Sequence, residues 1–157
     1  MANFLNRFEF IGNAGGAVDS RFTPAGKQVS NFNVAVNDIV YSETPINSYK
    51  DVGNNFHQLT TWVKVTCWGQ LAETVQTKVD KGDLVIVEGK LFGEAIDGVN
   101  QVKVWETKEG NHLASWTVTA RSVKVIKKAG SNGSSVAESQ VDDGPPPGFV
   151  EANEIPF

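Results

Sequence analysis

The sequence predicts a small β-barrel carrying one short helix, and three observations lead there. Most of the first 128 residues read as short segments with the alternating apolar and polar side chains of strands. Glycine-containing turns separate these segments, and helical spacing occurs only once, between the third strand and the fourth. A two-sheet sandwich rarely places its sole helix at that point, whereas a small closed or nearly closed barrel does.

Residues 4–12 alternate loosely and run into Gly12-Asn13-Ala14-Gly15-Gly16, a turn-forming cluster, so they form the first strand. Residues 21–27, with Pro24 and Gly26, supply a tight turn to the second strand. That strand, residues 29–37, points Phe32, Val34 and Val36 one way and Asn31, Asn33, Ala35 and Asn37 the other. Residues 38–56 lose the pattern. With Pro45, Gly53 and several Asn and Ser residues they read as one long loop, of the kind that is functional or mobile in a compact domain.

Residues 57–68 are the most informative stretch. A period of two puts Leu59, Thr61, Val63, Val65 and Cys67 on a core face, and Thr60, Trp62, Lys64, Thr66 and Trp68 on the other. Two indoles flanking an ammonium suit a flat, anionic partner, since nucleobases stack on aromatic rings and phosphates pair with lysine. Burial of the same tryptophans under a helix or a subunit is the competing explanation. After Gly69, the spacing of Leu71, Ala72, Val75 and Val79 is helical, and Lys81-Gly82-Asp83 ends it with a cation and a glycine stop. Leu84-Val85-Ile86-Val87 opens the next strand, which runs through Gly89, Lys90 and Leu91 to a two-residue hairpin turn at Asp97-Gly98. A return strand over residues 99–105, a second turn at Lys108-Glu109-Gly110-Asn111 and a last strand over residues 113–126 complete the set, with Trp116 read as a core side chain of that last strand. Five strands with the helix after the third make an OB-fold, a Greek-key barrel here drawn out into extended hairpins, whose open face and loops take oligonucleotides or oligosaccharides.

Composition limits the alternatives. A length of 157 residues suits one domain. The net charge of −4 is unevenly spread: residues 1–128 are near +1, and residues 129–157 hold five acids and no Lys or Arg. Nucleic-acid binding is therefore not announced by bulk charge and would rest on local cations and stacking. The single cysteine, Cys67, has no partner in the chain for a disulfide and reads as a small core filler. No apolar run has the length of a membrane span and no secretion signal is read at the amino end, so a cytosolic location is expected and no membrane contact. Residues 129–157, rich in Gly, Ser, Pro and acids, read as a disordered tail after a single binding domain over residues 1–128. Its end breaks that composition: Glu154-Ile155-Pro156-Phe157 is an acidic and apolar tip suited to capture by a pocket with a basic rim.

Several of these runs resemble bacterial-type single-stranded DNA-binding proteins. The resemblance rests on Asn6-Arg7-Phe8-Glu9-Phe10-Ile11-Gly12 with Asn13, on residues 21–26, on Ala35-Val36-Asn37, and on Thr61-Trp62 through Trp68-Gly69 with Leu71-Ala72-Glu73. It continues in Lys81-Gly82-Asp83, in Val87-Glu88-Gly89-Lys90-Leu91 and in the terminal Ile155-Pro156-Phe157. The resemblance implies that Trp62, Trp68 and Trp105 stack on bases, and that Tyr41 is the one side chain near the family's remaining tryptophan position able to do so. It implies a homotetramer, a tail tip that recruits replication and repair proteins, and protection of single strands in replication, recombination and repair. The chain departs from the family in residues 93–104, which lengthen a hairpin, and in carrying Glu154 alone where three consecutive acids are usual.

From the residues, Lys64, Arg7, Arg21, Lys27, Lys90 and Lys103 are the candidate phosphate contacts, each set against an ordinary solvated cation. The contrasting reading is an interaction module whose aromatic face is a protein interface, with RNA or oligosaccharide as further ligands. Catalysis has the least support. His57 and His112 are the only histidines, and no metal-ligand spacing or paired carboxylates stand near them, so neither a metal nor another cofactor is expected.

Overall fold

The computed structural model describes residues 5–131. In chain order the elements are β1 (Phe8–Ala14), β2 (Asp19–Phe22), β3 (Gln28–Tyr41), β4 (Lys50–Gly53), β5 (Phe56–Trp68), α1 (Gln70–Lys78), β6 (Leu84–Phe92), β7 (Glu94–Ile96), β8 (Val99–Gln101), β9 (Lys103–Glu106), β10 (His112–Ser115) and β11 (Thr117–Lys127). Five of them close a barrel: β1 pairs with β3, β3 with β5, β5 with β11, β11 with β6, and β6 returns to β1. All of these pairs are antiparallel except β5 with β11, a short parallel seam over Thr117↔Lys64, Val118↔Val65 and Thr119↔Thr66. This is the OB-fold expected from the element order. β2 extends the sheet beyond β3, and β4 extends it beyond β5.

Apolar side chains alternating inward from each strand fill the barrel. Phe32 and Val34 of β3, Val65 and Cys67 of β5, Val85 and Val87 of β6 and Val118 of β11 are all at most 1% exposed. Burial of a Val or Phe side chain contributes roughly 1.5–3 kcal/mol, so these few residues carry much of the fold. Helix α1 packs Ala72 and Val75 onto the same core, and Ser30 Oγ of β3 donates to Ala72 O at 2.8 Å. Inside the barrel the Cys67 thiol is pushed up to about 12 by burial, which leaves it protonated and unreactive.

The far end of the last barrel strand is fastened to the end of the helix. Lys128 Nζ donates to Lys78 O (2.6 Å), Asp80 Oδ2 (2.8 Å) and Asp83 Oδ2 (2.8 Å). Asp83, with no exposed surface, also accepts from the Asp80 and Ala129 backbone N–H groups. Burial alone would raise the Asp83 carboxyl; these hydrogen bonds and the Lys128 charge outweigh it and hold the carboxyl below its ordinary value.

Four expectations are corrected. Residues 38–56 are not one loop: β3 runs on to Tyr41, and β4 and the start of β5 form an arm with it, joined by Asn54 and Asn55, both at positive φ. The arm is held by backbone pairing, while Ile39, Tyr41, Val52 and Phe56 stay exposed, so it carries no burial rhythm to read. The return strand over residues 99–105 divides at Val102, because β8 pairs back onto β7 through the Asp97-Gly98 turn while β9 pairs forward onto β10. The last strand divides in the same way at Trp116, between β10 and β11. Trp116 is accordingly not a core residue: it is 37% exposed at the base of the β7–β8 hairpin, where a Cβ on Gly93 would lie 3.0 Å from its ring.

Candidate nucleic-acid interface

Register assigns the outer face of β5 without ambiguity. Residues paired across a ladder share a face. Asn31, Asn33, Ala35 and Asn37 of β3 therefore stand beside Thr66, Lys64, Trp62 and Thr60 of β5, and Tyr41 stands beside Phe56. One row thus reads Phe56, Gln58, Thr60, Trp62, Lys64, Thr66, Trp68, roughly 40 Å long at the rise of a strand. On the opposite row Val63, Val65 and Cys67 turn to the core, whereas Leu59 and Thr61, expected beside them, are exposed.

Each aromatic residue of the row has its own seat. Trp68 is 38% exposed, and Lys27, from the turn between β2 and β3, holds its ammonium 5.5 Å from the ring centroid. Trp62 is half-buried because its ring lies against the β1–β2 connection, where a Cβ on Gly15 would come within 2.3 Å of Trp62 Cζ3. Only a glycine leaves room for the indole there. At the tip of the arm, Tyr41 and Phe56 meet edge to face, with centroids 5.5 Å apart and planes at 71°. Phe56 was not singled out from sequence, although the period of two from Trp62 and Trp68 reaches it.

The middle of the row is a floor of buried polar groups, so Lys64 is not an ordinary solvated cation. Lys64 is 4% exposed and Thr66 is 8% exposed. Thr66 Oγ1 donates to Asn31 Oδ1 and Thr60 Oγ1 to Asn37 Oδ1, each at 2.7 Å. Lys64 and Asn33, the pair between these two, make no such bond: Lys64 Nζ and Asn33 Oδ1 have no hydrogen-bond partner among the described residues, and neither does Asn31 Nδ2. The Lys64 ammonium is lowered to about 8, first by desolvation, then by Lys103 and Arg21, against the opposing pull of Asp19.

Around this floor, Arg21 on β2 pairs with Asp19 at 3.1 Å, and Lys103 stands on β9 opposite Ser115, at the base of the β9–β10 hairpin. Trp105, on the same hairpin opposite Leu113, is half-buried, and its Nε1 lacks a partner among the described residues. Lys90 is exposed on β6, level with Thr66 but two strands away round the barrel. Arg7 is not brought into the row. It lies just ahead of β1 and pairs with Glu9 at 3.1 Å and Glu88 at 3.3 Å. Glu154, Ile155, Pro156 and Phe157 fall outside the described residues.

Among the described residues no three His, Cys, Asp or Glu side chains are placed to hold a metal ion. His57 is buried, with Nε2 3.2 Å from Ser42 O. No described helix is long and apolar enough to cross a membrane.

Comparison with known proteins matches the sequence model of the single-strand binding protein family to residues 5–126. Single-stranded DNA-binding protein 1 of Xylella fastidiosa is 30% identical over 128 residues, 82% of each chain. The single-stranded DNA-binding protein of Aquifex aeolicus is 27% identical over 98% of this chain and 99% of its own. Among solved structures, the small single-stranded DNA-binding protein from Streptomyces coelicolor superposes with a TM-score of 0.56 at 19% identity, covering 76% of this chain and 92% of that one, a likeness of fold.

Proposed function

The chain belongs to the single-strand binding protein family, and from that premise we propose that it binds single-stranded DNA, without sequence preference, along the outer face of β5. The observation that carries this reading is the single row on which Trp62 and Trp68 present partly open indoles over a cationic floor. Every base has a π-face, so stacking at about 1–3 kcal/mol per base tolerates any sequence. Duplex DNA hides those faces, and preference for single strands follows from the same contact. Trp105 and the Tyr41–Phe56 pair add stacking positions on the two projecting arms. Lys27, Lys64, Arg21 and Lys103 meet phosphates, with Lys90 and Arg7 as outlying contacts.

In this reading the protein is a stoichiometric binder and not an enzyme. It coats single strands during replication, recombination and repair, in the cytoplasm of a bacterium or of a host in which a phage or plasmid encodes it. It works as a homo-oligomer, a tetramer by family resemblance. Residues 1–128 form the binding domain and residues 129–157 a tail whose Glu154, Ile155, Pro156 and Phe157 recruit replication and repair proteins.

Tryptophan fluorescence during titration tests the reading. Oligo-thymidine is expected to quench it strongly, duplex DNA weakly, and raised salt is expected to weaken the binding. No quenching by any single strand would contradict the proposal and leave the aromatic face as a protein interface.

A further inference from the structure

Two polar cross-strand pairs, Lys64–Asn33 and Thr66–Asn31, line the floor between Trp62 and Trp68, a third, Thr60–Asn37, lies just beyond Trp62, and of the three only Lys64–Asn33 is left open. Thr66–Asn31 and Thr60–Asn37 are hydrogen-bonded, whereas Lys64 Nζ and Asn33 Oδ1 each lack a partner. A buried ammonium without a partner is among the costlier arrangements a fold can retain. Charged groups approach it from two sides: Asp19 and Arg21 from β2, and Lys103 from β9. The neighbours in register on β3 and β11, Asn33 and Thr117, are neutral. Asp19 pulls against the other two but makes no ion pair with Lys64 among the described residues, and two of the three charged groups near it are cations. The vacant donor Asn31 Nδ2 lies on the adjacent rung.

We propose that Lys64 is an internal phosphate receptor of the bound single strand, with Asn31 Nδ2 as a second donor, and that filling it couples DNA binding to uptake of a proton. The inference rests on the proposed DNA-binding function and adds its regulation. A phosphate seated there supplies the directly paired counter-charge that Asp19 does not and favours the protonated lysine. In the free protein the ammonium already loses its proton near pH 8. Binding above that point must therefore restore the proton, and affinity falls with rising pH by up to about tenfold for each pH unit. Lysines left in solvent titrate far higher and give no such dependence in that range.

The test is the affinity of the full chain for oligo-deoxycytidine, whose bases do not titrate in the range used, from about pH 7 to about pH 9.5 at fixed salt. Wild type is expected to weaken over that range. Lys64→Arg keeps its charge throughout and is expected to bind with a flat profile. Lys64→Met is expected to bind more weakly at pH 7, also with a flat profile, and with a salt slope smaller by about 0.7. Wild-type binding that is independent of pH overturns the inference while leaving the parent reading intact. So does a Lys64→Arg profile as steep as that of wild type, which would assign the proton to another group. Absence of single-strand binding by wild type at every pH is the separate failure of the parent reading, and the inference falls with it.

Discussion

Two lysines of this barrel sit beside buried polar groups and are treated in opposite ways. At the junction of α1 and β11, Lys128 has three acceptors, and Asp83, fully buried, collects bonds from the ammonium and from two backbone N–H groups. On the outer face of β5, Lys64 is buried where Lys128 is half exposed, yet its Nζ has no acceptor among the described residues, and the neighbouring Asn33 and Asn31 keep atoms unsatisfied. The junction shows that the fold completes a polar cluster where its own stability depends on one. An incomplete cluster between two tryptophans of the proposed interface is therefore the place to look for a ligand.

The largest effect expected from breaking this contrast is at the junction. Asp83→Ala removes the acceptor of three bonds and is expected to destabilise the protein by about 3 kcal/mol, read as a lowered denaturant midpoint, with affinity for single strands unchanged. Lys64→Met is expected to have the opposite sign. A group whose folded value is about 8 against 10.5 opposes folding when protonated, so its removal stabilises by about 1–3 kcal/mol at neutral pH while weakening DNA binding.

The same shifts set the pH dependence. Because the Lys64 value is lowered in the folded state, its penalty is complete below about pH 8 and is relieved as pH rises toward 10.5, so wild-type stability rises through that window and Lys64→Met does not follow. Lys128, shifted upward by hydrogen bonds to Asp80 and Asp83, contributes below its unfolded value and loses that contribution only at higher pH. Asp83, shifted downward, loses its contribution only as acid takes the protein through its lowered folded value. Thermal melts at stepped pH separate the three.

Stacking changes should be comparable in size but confined to binding. Trp62→Ala and Trp68→Ala are each expected to cost about 1–3 kcal/mol of single-strand affinity, measured by competition against a labelled oligonucleotide. The smallest effect concerns the tail. Removing residues 139–157 deletes tethered anions able to compete with DNA for cations and is expected to tighten binding at low salt only, a difference that a salt titration would register.

Much of this architecture was legible because burial imposes rhythm. Phe32, Val34, Val65, Cys67, Val85 and Val87 alternate inward, and Asp97-Gly98 and Gly82 mark where the chain turns or stops. The outer row from Thr60 to Trp68 was legible for the same reason, since period two fixes which side a residue takes. Depth was not. Lys64 is buried, and the charges acting on it come from β2 and from the base of the β9–β10 hairpin, distant in sequence; alternation says nothing of what gathers over a face. The arm formed by the ends of β3 and β5 was missed because its apolar side chains meet solvent, its buried side chains are the polar His57 and Gln58, and its pairing is by backbone bonds. Trp116 was misplaced because a strand interrupted for one residue still alternates on paper.

The central claim, that a single strand lies along the outer face of β5, is tested most directly by ultraviolet cross-linking of bound oligo-thymidine followed by mass spectrometry of the peptides. The account predicts cross-links at Trp62 and Trp68 and at the Tyr41–Phe56 tip, all removed by excess unlabelled single strand and not by duplex. Cross-links confined to β1, β6 or the exposed surface of α1, with the β5 row untouched, would contradict it.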